Sequence, residues 1–169
     1  KIIEINNPWG EYYAATPNSI PPLVYVDMIV QSGINFDAFG LLLQFGKNQI
    51  GMHIRDMMEI SAILDYFGPV AKPLYITGVE VPSQNGTDLY ASQVAGVWHE
   101  EWDQLRQEQW IEQFYKIAFS KSFVDTVTYS NLIDTVDNAI VNSGLLTEKL
   151  EAKKSCKALK KMQISIFSR

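Results

Sequence analysis

A carboxylate ends the most strand-like run in the chain, and a glycine sits just before it. The stretch 73-PLYITGVEVPS-83 holds Leu74, Tyr75, Ile76, Thr77 and Val79, all strand formers, between Pro73 and the closing Pro82-Ser83. At Gly78 the chain gives up a side chain and spends backbone entropy. Glu80 follows two residues later, on the same face of a regular strand. A carboxylate at a strand end can serve as acid, base or nucleophile, and a glycine can serve as none of them. A second titratable cluster is 98-WHEEW-102, where His99, Glu100 and Glu101 adjoin. Histidine beside carboxylates can ligate a metal. With two histidines in the chain and no second ligand at fixed spacing, the cluster reads as a loop or helix start, and no metal is expected. The single cysteine, Cys156, excludes an internal disulfide and a multi-cysteine metal site. No GxGxxG follows a strand and no P-loop occurs, so no cofactor is expected either.

The bulk numbers set the frame for these residues. The chain has 169 residues, 47% hydrophobic and 20% charged, which fits one globular region over 1–169 with a sizeable core. Its formal net charge of −5 argues against a nucleic-acid partner, which wants clustered Lys and Arg. Basic residues do gather in 149-KLEAKKSCKALKK-161, but at helical spacing with apolar partners, so they read as a solvated helix face. No run approaches the roughly 20 apolar residues of a membrane span, so no membrane partner is expected. The chain opens on Lys1 rather than Met, which reads as a processed end or a boundary within something longer.

The elements that must position these residues alternate. A short strand is expected over 1–6, a loop over 7–22, and a helix over 23–33 with Gly33 as its stop. The apolar run 36–46 reads as a strand covered on both faces. Ile54, Met57, Met58, Ser61, Leu64 and Phe67 recur at helical spacing, with the methionines as core filler. The strand 73–83 comes next, then a long loop over 82–103. Residues 104–121 form an amphipathic helix with Leu105, Trp110, Phe114, Ile117 and Ala118 on one side. A strand over 123–132 and a helix over 152–165 complete four strand–helix pairs. Strict alternation calls for a parallel sheet with right-handed crossovers. A closed eight-stranded barrel takes about 250 residues. The chain is therefore either a small open α/β sheet or the second half of a TIM-type barrel with two unpaired edges.

Several segments together resemble the C-terminal half of a family-ten glycoside hydrolase, the retaining endo-β-1,4-xylanases. The run 33-GINFDAFGLLLQFG-46 is similar to that family's sixth strand. The stretch 63-ILDYFGPVAKPLYITGVEV-81 resembles its sixth helix and seventh strand, where the family pattern ends in Ile-Thr-Glu. The stretch 113-QFYKIAFSKSFVDTVTYSNLID-134 resembles its seventh helix and eighth strand, and 144-GLLTEKLEAKKSCKAL-159 its closing segment. The resemblance implies the second half of a TIM-type (β/α)8 barrel, with the general acid/base glutamate on a fourth barrel strand that this chain lacks. It implies an extracellular or periplasmic setting. It also implies two kinds of partner: β-linked polysaccharide or oligosaccharide, and either the missing N-terminal barrel half or a second copy of the chain.

The polar positions depart from that family. Gly78 occupies the place of the nucleophile glutamate, Gln44 that of a substrate-binding histidine, and Leu42 that of a glutamine. Tyr129 stands for the tryptophan of the eighth strand and Ser130 for the glycine beside it, Asp134 matches a downstream aspartate, and Pro-Lys-Pro has become 152-AKK-154. Retaining hydrolysis needs two carboxyl groups about 5–5.5 Å apart. Glu80 lies about 6.5 Å along the strand from Gly78, so it replaces the nucleophile only if a bulge draws it back. Its alternative is a rim carboxylate hydrogen-bonded to neighbouring backbone or to an arginine. Trp9, Glu11 and Tyr12 in the first loop, with Trp98 and Trp102 in the long loop, follow strands and so belong to the C-terminal face. Flat rings there either stack on sugar or cap the barrel as core. Glu11 either binds a sugar hydroxyl or is a solvated charge. Three expectations remain: a hydrolase impaired at Gly78, a non-catalytic carbohydrate-binding or assembly half-barrel, and an open sheet of flavodoxin type.

Overall fold

The computed structural model describes the backbone of residues 1–15 and 17–167, with side chains except those of Tyr12 and residues 164–167. Strands β1 (Ile2–Ile5), β2 (Ala38–Gln44), β3 (Leu74–Glu80) and β4 (Val124–Tyr129) alternate with helices α2 (Pro22–Gln31), α3 (Met57–Asp65), α5 (Gln104–Ser120) and α6 (Lys154–Phe167). Two short helices were not expected: α1 (Gly10–Ala15) falls in the 7–22 loop and α4 (Leu89–Ala95) in the 82–103 loop. Asp88 explains the second of these, because its side chain caps Ala91 N at 3.0 Å and gives a polar loop a helix start. The same device opens the longer helices. Asp56 and Glu59 form a reciprocal capping box at α3, and Asp103 accepts from Arg106 N at α5.

The sheet is parallel throughout, in the order β1-β2-β3-β4. Each crossover adds its strand on the same side as the last. With right-handed connections, that sequence of additions lays every crossover helix on one face of the sheet. A doubly wound sheet reverses its strand order instead, so the flavodoxin-type alternative is excluded. The core agrees. Leu41, Leu43, Phe45, Ile76, Val79 and Val81 share one buried cluster with Val26, Ile60, Leu64, Trp110, Ile111 and Phe114 from the helices. The opposite face carries Leu42 and Gln44, which are only half-buried. The expectation of a strand covered on both faces is therefore met on the helix side alone.

Helix α5 anchors this layer. Gln107, Trp110, Ile111, Phe114 and Ala118 are its buried residues, and they recur three and four residues apart along one helical face. Trp110 stacks on Phe114 at 5.2 Å and meets Phe45 at 5.5 Å. Two sequence expectations need correction: Leu105 and Met58 are both exposed. Leu105 lies in the first turn of α5, off the stripe that runs from Gln107 to Ala118. Met58 lies off the face of α3 that carries Ile60, Ile63 and Leu64.

Strand β3 carries one irregularity that matters above all others. Ile76 pairs with Leu41, but the next pair is Gly78 with Leu42, leaving Thr77 as the extra residue of a β-bulge. A Cβ on Gly40 would meet Thr77 Cγ2, and a Cβ on Gly78 would meet the Leu42 side chain. Gly40 and Leu42 share a face, so Thr77 and Gly78 both turn to the side away from the helices. Trp110→Ala is expected to lower the unfolding free energy by about 3–5 kcal/mol, and Met58→Ala by less than about 0.5 kcal/mol. Urea unfolding of the two variants measures both, and equal losses would contradict a one-sided core.

Candidate functional site

The bulge precedes Gly78, and beyond it the register is regular: Gly78 with Leu42, Val79 with Leu43, Glu80 with Gln44. Gly78 and Glu80 therefore shift together, and Glu80 is not drawn back onto the glycine's position. The space over Gly78 is already filled. A Cβ there would lie 2.6 Å from Ser130 Oγ and 2.7 Å from Leu42 Cδ1. Glycine at this point lets β2 and β4 bring those side chains over the strand.

Glu80 is 1% exposed. Its Oε1 accepts from Gln44 Nε2 at 2.5 Å, and its Oε2 accepts from Asn131 Nδ2 and from Ser143 Oγ at 2.9 Å. Asn131 also donates to Ser143 Oγ at 2.8 Å, so the two donors to Oε2 are themselves joined. No cation pairs with Glu80 among the described residues. Burial of a carboxyl group is tolerable only with such donors. The arrangement is a rim carboxylate locked by amides and a hydroxyl rather than by backbone or an arginine.

Two further sequence candidates join this centre. Tyr129 Oη lies 2.7 Å from Ser143 O and 3.3 Å from Val81 O, both acceptors for its proton. Burial, followed by the nearby Glu80 charge, holds the Tyr129 hydroxyl far above the usual phenol range, so it stays protonated. Asp134 accepts from Gly144 N at 2.8 Å and pairs with Lys153 Nζ at 2.6 Å. Burial pushes the Lys153 ammonium down, against the opposing pull of Asp134. Gln107 reaches in from α5, donating to Val81 O at 3.0 Å and Ser143 O at 3.1 Å, while Ser155 Oγ donates to its carbonyl at 2.7 Å. Glu80, Gln44 and Tyr129 are thus brought into one polar layer over the ends of β2, β3 and β4, with the Asp134–Lys153 pair beside it.

The aromatic candidates lie elsewhere. Trp9 is buried against Phe45 at 5.9 Å, with the Arg55 guanidinium 4.6 Å over its ring. Glu11 is exposed and ion-pairs with Arg55. Trp98 is buried beside His99, and Trp102 is buried with its Nε1 donating to Gly96 O at 3.4 Å. The side chain of Tyr12 lies outside the described residues. Among the described residues, no group of three His, Cys, Asp or Glu side chains could hold a metal.

Beside the polar layer an open cleft of about 270 Å³ spans the loops that follow β2, β3 and β4. The amide residues Asn48, Gln84, Asn85 and Asn142 line it together with Trp102. Asp88 carries the carboxylate on its lining, and that group is the cap of α4. Of the sequence candidates only Trp102 lines it. Residues such as Gln84 and Asn85 were read as loop, because polar residues in a connection carry no period that marks which of them face a ligand. Gln107 was legible in principle, since a polar residue on the apolar stripe of α5 signals a buried hydrogen-bonding task.

No family model matches the chain, and no curated protein matches it in sequence. Solved structures do match. The chain is similar to native xylanase 10B from Thermotoga maritima, with a TM-score of 0.60, 15% identity, and coverage of 90% of this chain and 45% of that one. It is similar to an intracellular xylanase from Thermoanaerobacterium saccharolyticum, seen as a mutant with xylotetraose, at TM-score 0.58 and 14% identity over 84% of this chain and 40% of that one. It is also similar to a β-glucuronidase from Ruminococcus gnavus, at TM-score 0.53 and 17% identity over 75% of this chain and 22% of that one.

Glu80→Gln is expected to lower stability by about 1–3 kcal/mol, because the new amide turns a donor toward one of three existing donors. Gly78→Ala is expected to cost about 1–3 kcal/mol through crowding against Ser130 and Leu42, whose side-chain ends can turn aside only in part. Chemical unfolding reads both, and an unchanged midpoint in either would show that the polar layer does not constrain that position. The chain has the fold of part of a TIM-type barrel, four consecutive strand–helix units spanning less than half the length of these solved barrel proteins.

Proposed function

We propose that this chain is a glycoside-hydrolase-like, polysaccharide-acting half-barrel whose own residues bind a β-linked oligosaccharide without cleaving it. The observation that carries the reading is the state of the two nucleophile candidates. Gly78 has no side chain, the ends of the Ser130 and Leu42 side chains occupy the space beside it, and Glu80 is 1% exposed with both oxygens hydrogen-bonded. A retaining glycosidase needs a carboxylate whose oxygen faces the anomeric carbon, with a second one about 5–5.5 Å away. Neither position offers one.

Binding needs less. Amide side chains donate and accept at once, which suits sugar hydroxyls, and four amide residues line the cleft with Trp102. Similarity of fold to a xylanase seen with xylotetraose supports a β-1,4-linked chain of neutral sugars as the ligand class. The sequence reading names Trp9, Glu11, Tyr12, Gln44, Trp98, Trp102, Tyr129 and Asp134 as substrate-binding candidates, and of these Trp102 lines the cleft to which the present reading assigns the sugar. A second feature favours an assembly role alongside binding. Strands β1 and β4 each present one unpaired edge, and parallel sheets are normally buried on both faces. Four further parallel strands, from an N-terminal barrel half or from a second copy, would satisfy both edges.

Titration calorimetry with xylo-oligosaccharides is expected to give heat, with no release of reducing ends. Gln84→Ala and Asn48→Ala are each expected to weaken binding by about 0.5–1.5 kcal/mol, or about 2- to 12-fold, as the loss of one hydrogen bond predicts. Absence of heat with every β-linked oligosaccharide would remove the binding reading. Hydrolysis by the chain that disappears in Glu80→Gln would instead make Glu80 a working carboxylate and overturn the non-cleaving one.

A further inference from the structure

We propose that Lys153 is a positioning residue for the cleft: its buried ammonium holds the wall that carries Asn142 against the exit of β3. The inference rests on the carbohydrate reading of the cleft for its ligand, and on geometry alone for the hold. Lys153 is 2% exposed. Its Nζ donates to Asp134 Oδ2 at 2.6 Å, Ser83 Oγ at 2.8 Å and Asn142 O at 3.1 Å. An ammonium has three protons and all three are placed. The three acceptors come from three separate stretches: the segment leaving β3, the start of the loop after β4, and that loop's far limb.

Asn142 is the point of leverage. It lines the cleft, and its backbone is left-handed with φ 57°. That conformation is uncommon outside glycine, although asparagine tolerates it better than most residues. Its carbonyl receives three donors: Ser83 N at 2.9 Å, Ser83 Oγ at 2.8 Å and Lys153 Nζ. Pro82 and Gln84, on either side of Ser83, line the same cleft. The Lys153 ammonium therefore ties two cleft walls to each other and to the start of α6. Asp134 has its own link to the loop, because its Oδ1 accepts from Gly144 N. Removing the ammonium leaves a buried carboxylate unpaired, a general stability defect, and separately releases the Asn142 carbonyl. The two effects can be separated.

The experiment compares the parent chain with Lys153→Met and with Lys153→Met combined with Asp134→Asn. The single variant is expected to melt well below the parent, as broken buried ion pairs do. The double variant has no unpaired charge and is expected to recover most of that loss. Its affinity for xylohexaose is nevertheless expected to stay at least tenfold weaker than the parent's. Its Ser83 amide is expected to exchange with solvent at least tenfold faster, while the β2–β3 ladder amides keep their protection. A double variant that recovers affinity and Ser83 protection along with its melting temperature would overturn the proposal, since Lys153 would then only neutralise Asp134. If the parent gives no heat with xylohexaose, the carbohydrate reading fails, and the Ser83 exchange rate alone decides whether Lys153 holds the wall.

Discussion

A carboxyl group removed from water must find donors for its lone pairs, and the top of this half-barrel is arranged around that requirement at Glu80. One donor, Gln44, comes from the end of β2, and two, Asn131 and Ser143, from the segment after β4. The carboxylate on β3 thus links the ends of three parallel strands. Its neighbours extend the linkage outward. Ser143 presents its carbonyl to Tyr129 and Gln107, and Gln107 is held by Ser155 on α6. A polar chain therefore runs from the strand ends through the helix layer, with its donors and acceptors matched along the way. A half-satisfied version would be worse than an apolar core, which is why single changes at its centre should be felt.

The same arrangement explains why a strand end that looks suited to catalysis holds no exposed nucleophile. The bulge at Thr77 turns two consecutive residues toward the open side of the sheet. The second of them is Gly78, and Ser130 and Leu42 close over it. A carboxylate at that point would compete for the volume those side chains occupy. The nearest carboxylate, Glu80, is held at the strand end by two amides and a hydroxyl and is turned away from solvent.

Next to this layer lies the ion pair of Lys153 with Asp134. Both polar systems meet at residues 142–144: Asn142 answers to Lys153, Ser143 to Glu80, and Gly144 to Asp134. Three consecutive residues of one loop are each held by a different buried charge. Loops are ordinarily the mobile part of a barrel's C-terminal face, and this one is pinned at every step along its inner limb. The cleft beside it inherits that rigidity on the Asn142 side. The α4 side is held by neutral links and an exposed cap: Asp88 on Ala91 N, Gly86 N on Ser92 Oγ, Ile54 N on Ala95 O and Trp102 Nε1 on Gly96 O.

Much of the fold was legible in the chain itself. Four strands and four long helices follow from apolar runs and helical stripes, because those signals are local and periodic. Strict alternation and a length too short for eight units left a small open sheet or half a barrel, and only the resemblance of four ordered segments pointed to the half-barrel. The short helices α1 and α4 were missed because six or seven residues carry too little period to stand out from a polar loop. Single residues such as Met58 and Leu105 were misplaced because pattern fixes a helix face only to within a residue or so. For the site, the sequence by itself determined that Gly78 offers no carboxylate, that Glu80 shares its face, and that Asp134 and Tyr129 lie near the same strand ends. Only the tertiary structure decided that Glu80 is buried with both oxygens hydrogen-bonded, that the bulge falls before rather than after Gly78, and that Lys153 lies against Asp134. The physical reason is separation along the chain. Those partners are between 19 and 63 residues apart, so no local spacing records them, and only the packing of strands and loops into one layer brings donor to acceptor.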